Sequence, residues 1–217
     1  MDFFIFVLFY AQNWNMYRLS KDQYNHYYQM LFSLIGNSFP ISQRTKRIII
    51  DSSLLLEVPK GHHMLEHGEI EKNVRFLCKG HIRCVDHGNN KSYIYDYRSA
   101  PNIVCEVVSL YSNEPSQMSL VTISDCHYMT ISKQVFQSLA KTNSNLAELS
   151  TKTTAIFLGI SHNKHRLFRT LSAEERYEIF LKKHPEIVKI ESLTNISSYL
   201  GINPATLSRI RSRVRTC

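Results

Sequence analysis

Near residue 132 the sequence changes its period, and that change limits the folds open to it. Glycine is scarce, seven residues in 217, yet four of the seven fall between Gly61 and Gly88. Around them stand short β-type runs: 54–58, 74–78, 81–85 and 93–95, parted by Lys79-Gly80 and by the turn-forming segment 86–90. The runs 103–108, 118–123 and 126–131 continue the pattern. Short strands at such spacing predict an antiparallel sandwich or barrel over about 50–131. After Ser132 the period lengthens. Val135, Phe136, Leu139 and Ala140 recur at helical spacing, and 146–167 holds no proline and one glycine. An all-β unit followed by helices is the expected order.

Composition narrows the class further. With 43% hydrophobic and 20% charged residues the chain reads as globular, long enough for one large or two small cores. The longest apolar run, 3–11, is nine residues, where a spanning helix needs roughly 20. Asp2 is the only charge ahead of it, so the basic flank of a secretory leader is missing. Residues 1–15 therefore read as an extension before a later start such as Met16, and no membrane partner is expected. Five cysteines (Cys78, Cys84, Cys105, Cys126, Cys217) are odd in number and widely spaced, which fits a reducing cytoplasm better than a disulfide framework.

The charge is uneven. Residues 1–161 carry 15 Lys/Arg against 13 Asp/Glu, while 162–217 carry 11 against 5. From 192 to 217 there are four arginines and no acid. A basic end of this kind is what contact with phosphate backbones requires, since each neutralised phosphate releases counterions. A solvated helix end is the other reading of the same charge.

Sampling the long helical segment at alternating steps of three and four gives Leu146, Leu149, Thr153, Ile156, Ile160, Asn163, Leu167 and Thr170, five of eight aliphatic. Such a seam fits pairing of two copies, with Leu149, Ile156, Ile160 and Asn163 at the dimer contact, and Asn163 favouring one register. A helix packing on its own β unit is the alternative. Residues 173–183 form another amphipathic helix, with Ser172 and Glu175 as a capping box and His184-Pro185 as its stop.

Beyond it, Ser192 is an N-cap, Ile196, Tyr199 and Leu200 give a short helix an apolar side, and Gly201 is its left-handed C′ residue. Asn203 then caps a second helix with Pro204 at N1 and Leu207, Ile210 and Val214 inward. Two short helices about a glycine turn make a helix-turn-helix. Its outward face presents Ala205, Thr206, Ser208, Arg209, Ser212 and Arg213. Small residues at the start permit close approach to a major groove, and Arg209 can reach guanine O6 and N7 together. Arg209 and Thr206 are the expected base readers, with Thr194, Arg211 and Arg213 on phosphates; Asn203, Ala205 and Ser208 complete the surface. A small helical hairpin capping a core is the other reading.

The order of parts resembles the Crp/Fnr family of bacterial transcription regulators over about 30–215. Pro59-Lys60-Gly61, then Gly68-Glu69, then Phe76-Leu77-Cys78-Lys79-Gly80 is similar to that family's glycine-punctuated β-roll, and 197–210 to its helix-turn-helix. The resemblance implies an α+β chain: an extension at 1–29, a cyclic nucleotide-binding-like, double-stranded β-roll (a cupin-like jelly roll) at 30–140, a dimerisation helix at 141–170 and a DNA-binding domain at 171–217. It also implies a homodimer on roughly palindromic double-stranded DNA, recognition helices about 34 Å apart, and RNA polymerase as a further partner.

The departures matter as much. In relatives that bind cyclic nucleotides, a Gly-Glu pair and a later Arg-Ser/Thr-Ala hold ribose and phosphate. Here stand Cys105-Glu106 and Ser116-Gln117-Met118-Ser119, with Gln117 at the arginine position, so Glu106, Gln117, Met118 and Ser119 line the expected effector pocket. Without a cation, a buried phosphate's desolvation is unmatched, which argues against cyclic AMP and leaves the pocket empty or tuned to another ligand. No cysteine precedes Cys78 to hold an iron–sulfur cluster, and the chain stops before a C-terminal wing. No cofactor is expected. A cupin-like metal enzyme is the rival from another class, since His62, His63 and His67 cluster near a turn, but adjacent strand residues point to opposite faces. No P-loop, Gly-x-Ser-x-Gly or His-Glu-x-x-His string is present, so neither catalytic residues nor a metal site are expected. A dimeric ligand sensor without DNA affinity is the second rival.

Overall fold

The computed structural model describes residues 21–36, 41–88, 91–142 and 144–214. The apolar run 3–11, the expected start Met16 and Arg215 lie outside the described residues, as do the side chains of Leu149 and Val214. Two helices come first. In α1 (Lys21–Gly36), Tyr27, Tyr28, Leu31 and Ile35 recur at helical spacing and are buried. In α2 (Gln43–Ser52), Ser42 caps the amino end by accepting from the Thr45 N–H at 3.1 Å, and Ile49 is buried.

Eight strands follow: β1 (Leu54–Val58), β2 (His63–Leu65), β3 (Asn73–Lys79), β4 (His81–His87), β5 (Ser92–Ser99), β6 (Asn102–Val104), β7 (Met118–Thr122) and β8 (Cys126–Ser132). They form two antiparallel four-stranded sheets, ordered β1-β8-β3-β6 and β2-β7-β4-β5. The glycine turn between β3 and β4 does not make a hairpin, because those strands belong to different sheets. Gly80 is the corner at which the chain changes sheet. Its φ is +94°, and a Cβ there would stand 2.5 Å from the Asp125 carbonyl oxygen and 2.6 Å from Cys126 Sγ.

Strand alternation sorts side chains into layers. Phe76, Cys78 and Met129 face α1 and α2, whereas Leu77 and Tyr128, their neighbours in sequence, lie between the two sheets with Ile82 and Leu120. Between β6 and β7 stands the short α3 (Val107–Ser112), and after β8 comes α4 (Lys133–Thr142). The long helix α5 runs from Ser144 to Thr170, 27 residues, or about 40 Å at 1.5 Å per residue.

The expected boundaries shift accordingly. Helix α1 runs across the expected boundary at 30, packing Tyr27 and Tyr28 on one side of it and Leu31 and Ile35 on the other into the same core. The long helix starts at Ser144, not at 141, since α4 occupies the residues before it.

Four helices close the chain: α6 (Ala173–Lys183), α7 (Ile187–Ile190), α8 (Leu193–Leu200) and α9 (Pro204–Val214). The capping box of α6 is formed: Ser172 Oγ accepts from Glu175 N–H at 3.3 Å, and Glu175 Oε2 from Ser172 N–H at 2.8 Å. The third core joins Tyr177, Phe180, Ile187, Ile196, Leu200, Leu207 and Ile210 of these helices to Ile94 and Tyr97 of β5. The chain is thus layered as helices, sheet, sheet, helices.

Candidate nucleic-acid interface and effector pocket

Helices α8 and α9 are built as their sequence requires. Ser192 Oγ accepts from Asn195 N–H at 3.1 Å and starts α8. Gly201 ends it at φ +64°, where a Cβ would meet a Phe168 ring carbon at 2.9 Å, so both backbone and space demand glycine. Asn203 Oδ1 accepts from Ala205 N–H at 2.8 Å and caps α9. Leu207 and Ile210 face inward and are fully buried. Ala205, Ser208, Arg209, Ser212 and Arg213 are exposed along one side; Thr206 and Arg211 are half-buried beside them; Thr194 and Asn203 are exposed.

Two arginines of that face have contacts. Arg209 Nε reaches back to the Ala205 carbonyl at 3.4 Å. Arg213 Nη2 stands 3.2 Å from Glu174 Oε2 on α6, an exposed pair that the sequence alone does not reveal. Neither contact buries its guanidinium. The arrangement can offer a close-approach surface of small residues with a long, planar, bidentate cation one turn in.

The effector-type pocket differs from the expected one. Gln117 is exposed, and its neighbour Ser116 is turned inward and only 1% exposed. Both residues precede β7, Gln117 at a bend, so no strand period sets them; the Ser116 backbone is held to Gly68 and Glu69 at 2.9 and 2.8 Å, and Gln117 beside it faces solvent. Gln117 therefore does not line the pocket. Ser116 Oγ is spent locally, donating to the Met118 carbonyl at 2.8 Å. Met118 is half-buried, and the Ser119 hydroxyl contacts His67 N–H at 3.0 Å and His87 Nε2 at 2.9 Å.

Glu106 is buried and caps α3, its carboxylate accepting from Val108 N–H at 2.9 Å and Ser109 N–H at 2.6 Å. A cation is nearby, but on β3. Arg75, 5% exposed, donates Nη1 to Glu71 Oε2 at 2.8 Å and Nη2 to the Met64 carbonyl at 2.7 Å. Glu71, 0% exposed, also accepts from Asn73 N–H at 3.0 Å and Glu106 N–H at 3.3 Å. The carboxylate of Glu71 thus neutralises the one buried guanidinium in reach of Glu106 among the described residues, which sequence reading missed because an i, i+4 pair spanning a loop and a strand leaves no periodic mark.

Next to it, α3, β6 and α5 enclose a small apolar cavity of about 50 Å³, lined by residues including Cys105, Leu110, Tyr111, Phe136 and Phe157. Burial pushes the Cys78, Cys84 and Cys105 thiols up to about 12, so these are packed, unreactive sulfurs. Among the described residues no group of three His, Cys, Asp or Glu side chains is placed to hold a metal, and His63 pairs with Glu66 at 3.6 Å.

The dimer-helix residues separate. Leu146, at the head of the sampled seam, is buried against α1 and the first sheet and so belongs to its own core. Ile156 is 59% exposed, Asn163 is exposed and Ile160 half-buried. The opposite face of α5 packs at home: Arg98 stacks on Phe157 at 4.9 Å, and Lys164 Nζ lies over Tyr95 at 4.2 Å and over Tyr199 of α8 at 4.8 Å.

Residues 55–143 match the cyclic nucleotide-binding domain family. FixK2 from Bradyrhizobium japonicum superposes with a TM-score of 0.65 at 18% identity, over 76% of this chain and 85% of that one. The c-di-GMP responsive global regulator CLP of Xanthomonas campestris gives 0.60 at 14% identity, over 81% and 92%. A protein from Eubacterium rectale, described as a transcriptional regulator of the Crp/Fnr family, gives 0.66 at 14% identity, over 83% and 88%. At these identities the likeness is one of fold. No curated protein matches the sequence.

Proposed function

From a chain with the fold of the Crp/Fnr-type regulators and a cyclic nucleotide-binding domain at residues 55–143, we propose a homodimeric, sequence-specific DNA-binding transcription regulator that does not respond to cyclic AMP. The observation that carries this is the outward side of α9. Ala205, Ser208, Arg209 and Arg213 are solvent-facing there, on a segment that has no acidic residue from 192 onward. In the major groove Arg209 and Thr206 read base edges, and Thr194, Arg211 and Arg213 hold phosphates. Such a protein works in the cytoplasm on its operator, as a binding protein rather than an enzyme, and RNA polymerase is the partner through which it would act.

Dimerisation is supported by the exposed apolar side chain of Ile156 on the α5 seam, which a second copy would remove from water. Indifference to cyclic AMP is supported by the pocket's charge. Gln117 faces solvent, and Arg75 is already neutralised by Glu71, so a cyclic phosphate entering near Glu106 would meet carboxylates without a free cation. Binding to random duplex DNA across a salt series tests the reading. The expected result is measurable affinity at low salt that falls steeply as salt rises; no affinity at low salt would leave a dimeric sensor instead.

A further inference from the structure

We infer that Arg83 of the β-roll is a positioning residue for DNA reading: acting on the Glu191 carboxylate, it fixes the amino end of α8. This rests on the DNA-binding function proposed above.

Glu191 joins the two halves of the chain. Its side chain is only 7% exposed although charged, and Arg83 Nη1 of β4 approaches its Oε2 at 3.3 Å. Its other oxygen, Oε1, accepts from Ser192 N–H at 3.1 Å and from Asn195 Nδ2 at 2.8 Å. Ser192 and Asn195 are the cap and the third residue of α8. One carboxylate therefore takes the roll's guanidinium on one side and the opening turn of α8 on the other. Thr194, the proposed phosphate contact, lies within that turn. Tyr97 is buried on β5, and burial first, then Glu191, drives the ionisation of its phenol far upward, so it stays neutral.

The surrounding packing prevents the link from slackening. β5 is the end strand of its sheet, and α8 covers its open edge, the Ser198 hydroxyl accepting from Ile94 N–H at 3.0 Å. Tyr97 stacks with Phe180 and Tyr199 at centroid distances of 5.8 and 5.2 Å. A shift of β4 against β5 is thus delivered to the start of α8 through charge-assisted hydrogen bonds rather than through a loop.

The test compares Arg83→Ala, Arg83→Lys and Glu191→Gln in the full chain. Amide hydrogen exchange over α8 and affinity for random duplex DNA at low salt are measured, with circular dichroism as the folding control. Arg83→Ala is expected to speed exchange at the first turn of α8 and weaken DNA binding about five- to tenfold, the range for a lost charge-assisted bond. Arg83→Lys should recover most of both. If Arg83→Ala compromises folding, Glu191→Gln, which keeps the shape, should still speed exchange. Unchanged exchange in folded variants overturns the inference even where the wild type binds DNA. A wild type without DNA affinity overturns the DNA-reading role together with the function it rests on.

Discussion

At the scale of single residues, Arg209 and Arg213 are distinguished by what lies beside them. Arg209 is exposed one turn into α9 with only a backbone carbonyl near it. Arg209→Ala is expected to cost about 1–3 kcal/mol on a selected site and to relax preference at one base pair per half-site. Competition binding against single-base variants checks this, and equal weakening on selected and random duplexes would make Arg209 a backbone contact. Arg213 is shared with Glu174 at 3.2 Å. Removing that acid in Glu174→Ala is expected to raise affinity for all duplexes about two- to fivefold and to steepen the salt slope, because an exposed pair holds the guanidinium weakly and a phosphate can take its place. Filter binding at two salt concentrations measures both. The caps of the reading head were legible in the sequence, since Ser192, Gly201 and Asn203 act within three residues of themselves. The pocket was not. Ser116 and Gln117 stand in the irregular segment before β7, where no strand period marks in the sequence which of two neighbours turns inward.

At the scale of elements, α5 packs one side on the chain's own roll and leaves other side chains in solvent. Leu146, Phe157 and Lys164 pack on the chain's own roll, while Ile156 and Leu158 stand in solvent. A repeat sampled along one line cannot separate these, because Leu146 and Ile156 share the seam and face different neighbours. Ile156→Asp is expected to convert the dimer to monomer without loss of helicity, a charge on each copy meeting its twin across the contact; sedimentation equilibrium reads the change. A dimer of unaltered affinity would move the contact away from Ile156. The strands were likewise foreseeable one by one, whereas their sheet membership was not. Lys79-Gly80 reads locally as a hairpin turn, and only the closeness of Asp125 and Cys126 to Gly80 makes it a corner between sheets.

At the scale of the whole molecule, the roll and helices α6 to α9 share a core, and acid should loosen it. His184 sits buried between Phe180 and Tyr199 with no hydrogen-bond partner on either ring nitrogen. Burial first, then Lys183, holds its imidazole down to about 4, with Asp96, His81 and Arg98 the other charged or titratable neighbours. An unfolded imidazole takes a proton near 6.5. Stability from the neutral ring is therefore full above about pH 6.5 and drains away as pH falls toward 4. Denaturant midpoints at pH 7 and pH 5 are expected to differ less in His184→Phe than in the wild type; an equal difference would assign the acid sensitivity to other groups, such as the half-buried His81, which burial shifts in the same direction.

Selection of bound duplexes from a random pool, with the full-length protein, tests the central claim most directly. A twofold-symmetric consensus is expected, its half-sites centred about one helical turn apart. A pool that emerges without any shared sequence would contradict it.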